Sequence, residues 1–161
     1  MEYKKQITLE MKMVDRLRSK ILLLQDLQEK AMVVEDDLGA LFRGEESWRF
    51  KQEMEELSHD ETRKQFIKGF LSYGIIQDLM SDFDVEDIII NGLKPVYIHH
   101  SQKGLVSTGR AFQSWDELQL FVNKLVLFSG RKVITDIMNI ELPNLEGRAN
   151  IVKSPFGYQV T

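Results

Sequence analysis

Gly74-Ile75-Ile76-Gln77-Asp78-Leu79-Met80-Ser81-Asp82-Phe83-Asp84-Val85-Glu86-Asp87-Ile88-Ile89-Ile90-Asn91-Gly92 divides the chain in two. Before it, apolar residues recur at three- and four-residue steps, the period of a helix face. After it, they mostly alternate or form short β-branched groups, the period of strands. Inside it a helical pattern closes at Gly74, and a short apolar turn follows (Ile75, Ile76, Leu79, Met80). Then come an acidic loop and the run Ile88-Ile89-Ile90, stopped by Asn91-Gly92.

Working back from Gly74, Phe66, Ile67, Phe70 and Leu71 form one apolar face. Ser58 with Glu61 three residues on is a capping box, so a helix is predicted to begin at Ser58 and to close at Gly74, where a positive φ costs little. A second helical piece spans Asp36 to Leu57, with a break expected near Arg43-Gly44 because glycine weakens a helix interior. A first helix is expected from about Asp15 to Val33, on Leu17, Ile21, Leu24 and Ala31. Of the preceding residues, Ile7, Leu9, Met11 and Met13 alternate like a strand, while Leu9-Met13-Val14-Leu17 favours helix.

Working forward, Ile88-Ile89-Ile90 is a strand, Asn91-Gly92 a turn and Val96-Tyr97-Ile98-His99 a second strand. Ser101 to Gly104 is a hairpin turn and Leu105 to Phe112 a third strand. Ser114 and Glu117 form another capping box, opening a helix with the face Leu118, Phe121, Val122, Leu125 and Val126 that ends near Gly130. A strand-poor connector runs from Arg131 to Asn139, and Glu141-Leu142-Pro143 leads into a turn at Asn144 to Gly147. Arg148 to Val152 is a strand, Ser154 to Gly157 a turn, and Tyr158 to Thr161 the start of another strand. Hairpin-linked strands with one inserted helix predict an α+β fold: a helical segment, 1–73, followed by a mostly antiparallel sheet with helices on one side, 74–161. The last strand pattern is still running at Thr161, so the chain is expected to be a piece of a longer protein.

Composition narrows the class. A chain of 161 residues with 43% apolar content can bury a real core. It has no cysteine, which removes disulfides, thiolate metal sites and a cysteine nucleophile. No apolar run reaches the ~18 residues of a membrane helix, and Met1-Glu2-Tyr3-Lys4-Lys5 is not followed by a signal-peptide core. A cytoplasmic protein is expected. The net charge is −4, and Asp26 to Glu61 holds 12 acidic and 4 basic residues. That balance argues against nucleic acid as a partner, which requires a positive stripe.

Chemistry is sparse. The acidic loop Asp82 to Asp87 lacks the spacing of a calcium loop, where glycine stands sixth and glutamate twelfth; here those places hold Asp87 and Leu93. His99 and His100 point to opposite faces of a strand and cannot share a metal. No phosphate-binding G-x-x-x-x-G-K-[ST] loop occurs, nor any Gly-Lys dipeptide, so the chain by itself is not expected to be an enzyme of the P-loop type. Arg148, which follows a turn glycine and opens a strand, is the leading candidate for a phosphate contact: a guanidinium at a sheet rim can clamp phosphate through two hydrogen bonds, though an arginine in that place also simply makes a rim salt bridge. Arg131, after Gly130, is a second candidate, though a cation at a helix C-terminus also simply suits the dipole.

Three segments resemble one family. Gly74 to Gly92 is similar to its pattern of a glycine, a short apolar turn, an acidic loop and "E-I-x-[IV]-N-G". Val96-Tyr97-Ile98 with Lys103-Gly104 and Phe112 resembles its "V-Y-[IV]-x-x-x-G" hairpin. Leu142-Pro143-Asn144-Leu145-Glu146-Gly147-Arg148-Ala149-Asn150 resembles "L-P-D-G-x-R-[VA]-[NH]". The family is the type II/type IV secretion ATPases, in its CpaF-like branch of tight-adherence pili and conjugal-type transfer, and the likeness is to the N-terminal region. This chain departs from the pattern at Ile75 (usually proline), at Asp87 (usually glutamate) and through the inserted Leu145-Glu146. Ile134 to Asn139 also lacks a usual Ser-Pro.

The resemblance implies a PAS-like α+β domain behind a helical extension, forming one ring of a hexamer above a ring of catalytic domains. It implies ATP and Mg²⁺ in the full-length protein, none held by this piece alone, and Arg148 (more weakly Arg131) against the nucleotide phosphates. The implied partners are the protein's own C-terminal ATPase domain, neighbouring subunits and inner-membrane secretion components, at the cytoplasmic face of the membrane. Two other readings stand beside it: a stand-alone PAS-like ligand sensor, and a helical adaptor recruiting a partner through Asp26 to Glu61.

Overall fold

The computed structural model describes residues 1–143 and 145–161. Four helices precede the sheet: α1 (Tyr3–Leu17), α2 (Leu27–Arg43), α3 (Lys51–Leu57) and α4 (Asp60–Phe70). Short 3-10 turns at Ser47–Phe50, Gly74–Ile76 and Leu79–Ser81 link them to one another and to the strands. Then come β1 (Val85–Asn91), β2 (Tyr97–His100), β3 (Gly104–Ser107), α5 (Trp115–Phe128), β4 (Ile137–Leu142), β5 (Gly147–Ser154) and β6 (Gly157–Val160). The sheet order is β3-β2-β1-β6-β5-β4 and every pairing is antiparallel. The α+β class and the antiparallel sheet are those the sequence predicts. Two meanders, β1-β2-β3 and β4-β5-β6, join where the first strand meets the last.

The helical half differs in detail. No helix spans Asp15 to Val33. Instead, α1 covers the segment whose period was ambiguous, with Leu9, Met13, Val14 and Leu17 fully buried, and it ends at Leu17. Ile21 takes a positive φ of 45°, unusual for a β-branched residue, and the bend seats Leu22 in the core. α2 then starts afresh at Leu27, because the Asp26 carboxylate accepts hydrogen bonds from the Gln28 and Glu29 amides at 2.8 and 3.0 Å. The helix expected to begin at Asp36 therefore begins nine residues earlier, while the break expected at Arg43-Gly44 is present.

The Ser58–Glu61 capping box does not form. The Ser58 hydroxyl donates instead to the Glu55 carbonyl at 2.6 Å and closes α3, and α4 begins at Asp60 without a side-chain cap. Gly74 has the expected positive φ of 61° but opens a 3-10 turn; α4 has already ended at Phe70. In the second half, the Ser114 hydroxyl does accept from the Glu117 amide, and the Glu117 carboxylate reaches back to the Gln113 amide. The third strand is shorter than expected and stops at Ser107, before the turn at Gly109. The connector expected to lack strands yields β4 from Ile137: Met138, Ile140 and Leu142 are buried while Ile137, Asn139 and Glu141 are exposed, the period of two that a half-buried strand needs. Of the turn expected at Asn144 to Gly147, Asn144 lies outside the described residues.

α5 holds the molecule together. Ten of its fourteen residues are buried, which fits a helix covered on both sides. One side meets β4 and β6, and the other meets α1. Each large apolar side chain so buried stabilises the fold by about 1.5–3 kcal/mol. Phe128 receives the edges of Phe70 and Tyr73, and Phe112 packs on Phe121. The helical segment and the sheet thus share one hydrophobic cluster, from Ile7 to Val160. The other face of the sheet carries the exposed side chains of Tyr97, His99, Arg148, Asn150 and Gln159. No helix among the described residues is long and apolar enough to cross a membrane.

Candidate functional site

Arg148 is the second residue of β5. Strand alternation buries Ala149 on the α5 side and sends the Arg148 side chain to the open face of the sheet. Glu141 of β4 stands directly opposite it. Among the described residues Arg148 makes no ion pair, even with that partner. Two residues along the same ribbon, the Asn150 amide donates to the Asn139 side-chain oxygen at 2.8 Å. Glu146, just before β5, adopts a positive φ of 48°, a left-handed step that turns the chain into the strand.

Arg131 goes elsewhere. Its guanidinium donates to the backbone carbonyl of Asn139 at 3.1 Å, tying the start of the α5–β4 connector to β4. Asn139 lies two residues from Glu141, roughly 7 Å along the strand. Both arginines therefore belong to the β4–β5 half of the molecule, but Arg131 already serves a structural carbonyl.

Beside Arg148 opens a cavity of about 170 Å³ between β1 and β5. Its floor is apolar: Ile88, Ile90, Phe121, Leu125, Leu142, Ala149 and Val160. Glu86, Asp87, Gly147, Arg148 and Thr161 also line it, with Ile76, Leu79 and Met80 from the turns before β1. Two of the three segments singled out in the sequence, Gly74–Gly92 and Leu142–Asn150, so meet at one place. The local charge is not cationic, since Glu86, Asp87 and Glu141 outnumber Arg148.

Three charged arrangements were not legible beforehand. Arg110 clamps Asp78 through two hydrogen bonds, 2.5 and 2.7 Å, and also donates to the Ile75 carbonyl at 2.8 Å. The Arg110 hydrogen bonds hold the Asp78 carboxyl down at about 2. The clamp fixes the Gly74–Ser81 turns against the segment entering α5. Next, Lys124 of α5 is buried with Glu10 of α1, 3.4 Å away. It donates to the Gly69 carbonyl at 3.2 Å and lies 5.5 Å from the Phe70 ring centre. Burial pushes the Lys124 ammonium below its ordinary value, against the opposing pull of Glu10. Finally, buried Asp37 accepts from Arg16 at 2.8 Å and Lys20 at 2.7 Å. Burial alone would raise its pKa, but those hydrogen bonds and charges bring it below the ordinary range. A lysine in the apolar run of α5 was the one available signal.

His99 Nδ1 lies 2.7 Å from the Glu86 carboxylate, and His100 Nδ1 accepts from the Gln102 amide. No group of three metal-ligating side chains occurs among the described residues. Compared with models of protein families the chain has no match, and no curated protein is significantly similar to it.

Proposed function

We propose that the chain is a non-catalytic N-terminal domain of a hexameric secretion ATPase. In this reading it caps a nucleotide site on a separate catalytic domain and couples hydrolysis there to secretion or pilus assembly at the cytoplasmic face of the membrane. The observation that carries the reading is the convergence of Gly74–Gly92 and Leu142–Asn150, two segments bearing the family likeness, on one cavity with Arg148 beside it. Arg148 is exposed and has no ion pair among the described residues, so its guanidinium is available for two-pronged contact with phosphate.

The carboxylates around it set a condition. One arginine among Glu86, Asp87 and Glu141 does not concentrate an anion, so the larger part of the phosphate binding has to come from a P-loop and its Mg²⁺ on the other domain. Arg148 then adds a positive contact once the two domains close, and a rigid cap that rocks over the nucleotide converts hydrolysis into movement. A ligand-sensor role within the sheet domain has less support: the cavity beneath the sheet, about 170 Å³, is smaller than the ~300–1,000 Å³ of small-molecule sites, and the roomier cavity of about 510 Å³ lies between α2 and α4 instead.

The decisive experiment reads the coding sequence downstream of Thr161. A P-loop in the same frame supports the proposal, and a stop codon there overturns it. With the longer protein in hand, Arg148→Ala should lower kcat/KM for ATP by about tenfold or more, with the Tm of this domain unchanged.

A further inference from the structure

The groove between α2 and α4, with its cavity of about 510 Å³, has no part in the nucleotide reading. Its volume falls within the ~300–1,000 Å³ of small-molecule sites. Stripes of residues four apart build it, each lying along one helix face. Leu27, Ala31 and Glu35 come from α2, and Ile67 and Leu71 from α4 and its C-cap. Lys64 and Lys68 form a parallel stripe on α4, one position round from Ile67 and Leu71. Ile67 is buried, Leu71 is half-buried and Leu27 is 64% exposed. The small side chain of Ala31, between Leu27 and Glu35, leaves the hollow open. From Lys64 to Leu71 the groove follows α4 for about 10 Å.

The polar side chains beside this apolar floor are left mainly with donors. Lys64 and Lys68 are exposed, and among the described residues neither makes an ion pair. Like charges one helical turn apart repel, so the two lysines cost α4 stability that no carboxylate there offsets. At the far end, the Gln77 side-chain oxygen is taken by the Tyr73 amide at 2.9 Å, and its NH₂ group remains to donate. The Ser72 hydroxyl oxygen likewise accepts from the Gly74 amide at 3.0 Å and keeps its hydrogen for a further acceptor. Glu35 is the one carboxylate in the lining, and Arg63 already donates to it at 3.1 Å. The groove thus combines an apolar floor, two uncompensated cations and two neutral donors.

We propose that the α2–α4 groove binds a single-chain fatty carboxylate. Its hydrocarbon chain lies along Leu27, Ala31, Ile67 and Leu71, and its carboxylate is held by Lys64 and Lys68. Charge complementarity selects this occupant. A molecule with one apolar and one anionic part meets both stripes of α4 at once, whereas a cation would face the lysines and a neutral chain would leave them unpaired. Removing the chain from water supplies most of the affinity, and the lysines supply the choice of head group. A ligand so placed touches both helices and therefore stabilises their packing against each other. The site does not depend on the ATPase reading.

Titration of the full chain with sodium decanoate, kept below micelle formation, is the test. Amide NMR signals of Ala31, Lys64, Lys68 and Leu71 should shift while those of β4 and β5 stay in place. At ten times the Kd the Tm should rise by about 3–6 °C. Lys64→Gln/Lys68→Gln should weaken decanoate binding by about tenfold. Ala31→Leu, which fills the hollow, should weaken it by a similar factor. Neither lysine makes an ion pair among the described residues, so the unliganded double variant should keep the Tm of the parent. Decanol and decyltrimethylammonium serve as neutral and cationic controls and should bind about tenfold less tightly or worse. Absence of decanoate binding, equal binding by decanol or by the double lysine variant, or shifts centred on the cavity beside Arg148 overturns the proposal. A dimer in solution that buries the α2–α4 groove would assign it to a second copy. Phosphatidylglycerol vesicles that shift the same signals where free decanoate does not would assign it to a membrane surface. Either result would equally overturn the proposal.

Discussion

Replacing Lys124 with Met tests how the helical segment is fixed to the sheet. The Lys124 ammonium meets the Glu10 carboxylate of α1, the Gly69 carbonyl at the end of α4 and the face of Phe70, all in an environment where both charged side chains are about 7% exposed. Methionine keeps the length and apolar bulk of the stem but strands the Glu10 charge and leaves the Gly69 carbonyl without its donor. Removing one partner of a buried pair costs about 3–5 kcal/mol. For a chain of this size each kcal/mol moves Tm by about 2–4 °C, so a loss of roughly 6–20 °C is expected. Thermal and urea unfolding measure it. The double variant Glu10→Leu/Lys124→Met removes both charges together. It should recover most of the loss and can exceed the parent, because the charged pair carries its own desolvation cost. A single variant that costs less than about 1 kcal/mol, or a double variant no better than the single, would refute the view that this pair is a buried and mutually dependent lock.

Other measurements bear on other parts. Gly157 has a φ of 110°, and a Cβ there would lie 2.2 Å from Trp115, so Gly157→Ala should cost about 1–3 kcal/mol or more and shift the Trp115 emission. Unchanged emission and Tm would contradict that packing. Asp78 should titrate near 2 by NMR and move back toward its ordinary 3.8 in Arg110→Ala. Because its folded pKa lies below the unfolded one, the clamp contributes stability above about pH 4 that is lost as the pH falls toward 2, and the acid limb of the urea midpoint should flatten in the variant. Asp26→Ala removes the α2 cap and should cost about 1 kcal/mol, seen as a lower urea midpoint with an unchanged m-value.

The parts of the fold legible in the sequence were those set by local signals. The Ser114 cap and the apolar face of α5 lie within one stretch, and Ile88-Ile89-Ile90 before Asn91-Gly92 marks a strand and its turn without outside help. The end of α1 was not legible: Leu17, Ile21 and Leu24 keep a helical spacing, and only the Asp26 cap with the buried Leu22 decides for a bend. Ser58 matched a capping pattern, but its hydroxyl had a nearer acceptor in Glu55. β4 escaped notice because its alternation, Met138-Ile140-Leu142, starts only after a polar connector and gains its meaning from pairing with β5. At the candidate site, the exposure of Arg148 follows from Gly147 and the strand period. Its neighbours across the cavity, Glu86 and Asp87, come from a strand some sixty positions earlier that no local pattern could place. A separation of 32 positions likewise hid Asp78 from Arg110.

The joint between the two meanders has a kinetic consequence. Each ribbon pairs neighbours in sequence and can zip from its own turns, whereas Ile90 and Val160 meet across about seventy positions. Loop closure over that span costs about 4 kcal/mol before any contact offsets it. Refolding speed should therefore be governed by how readily α5 draws the ribbons together, with hairpin zipping running ahead of it. Truncating Leu118 or Leu125 on α5 would then slow refolding, while truncating Val106 in the outer ribbon would act mainly on the rate of unfolding.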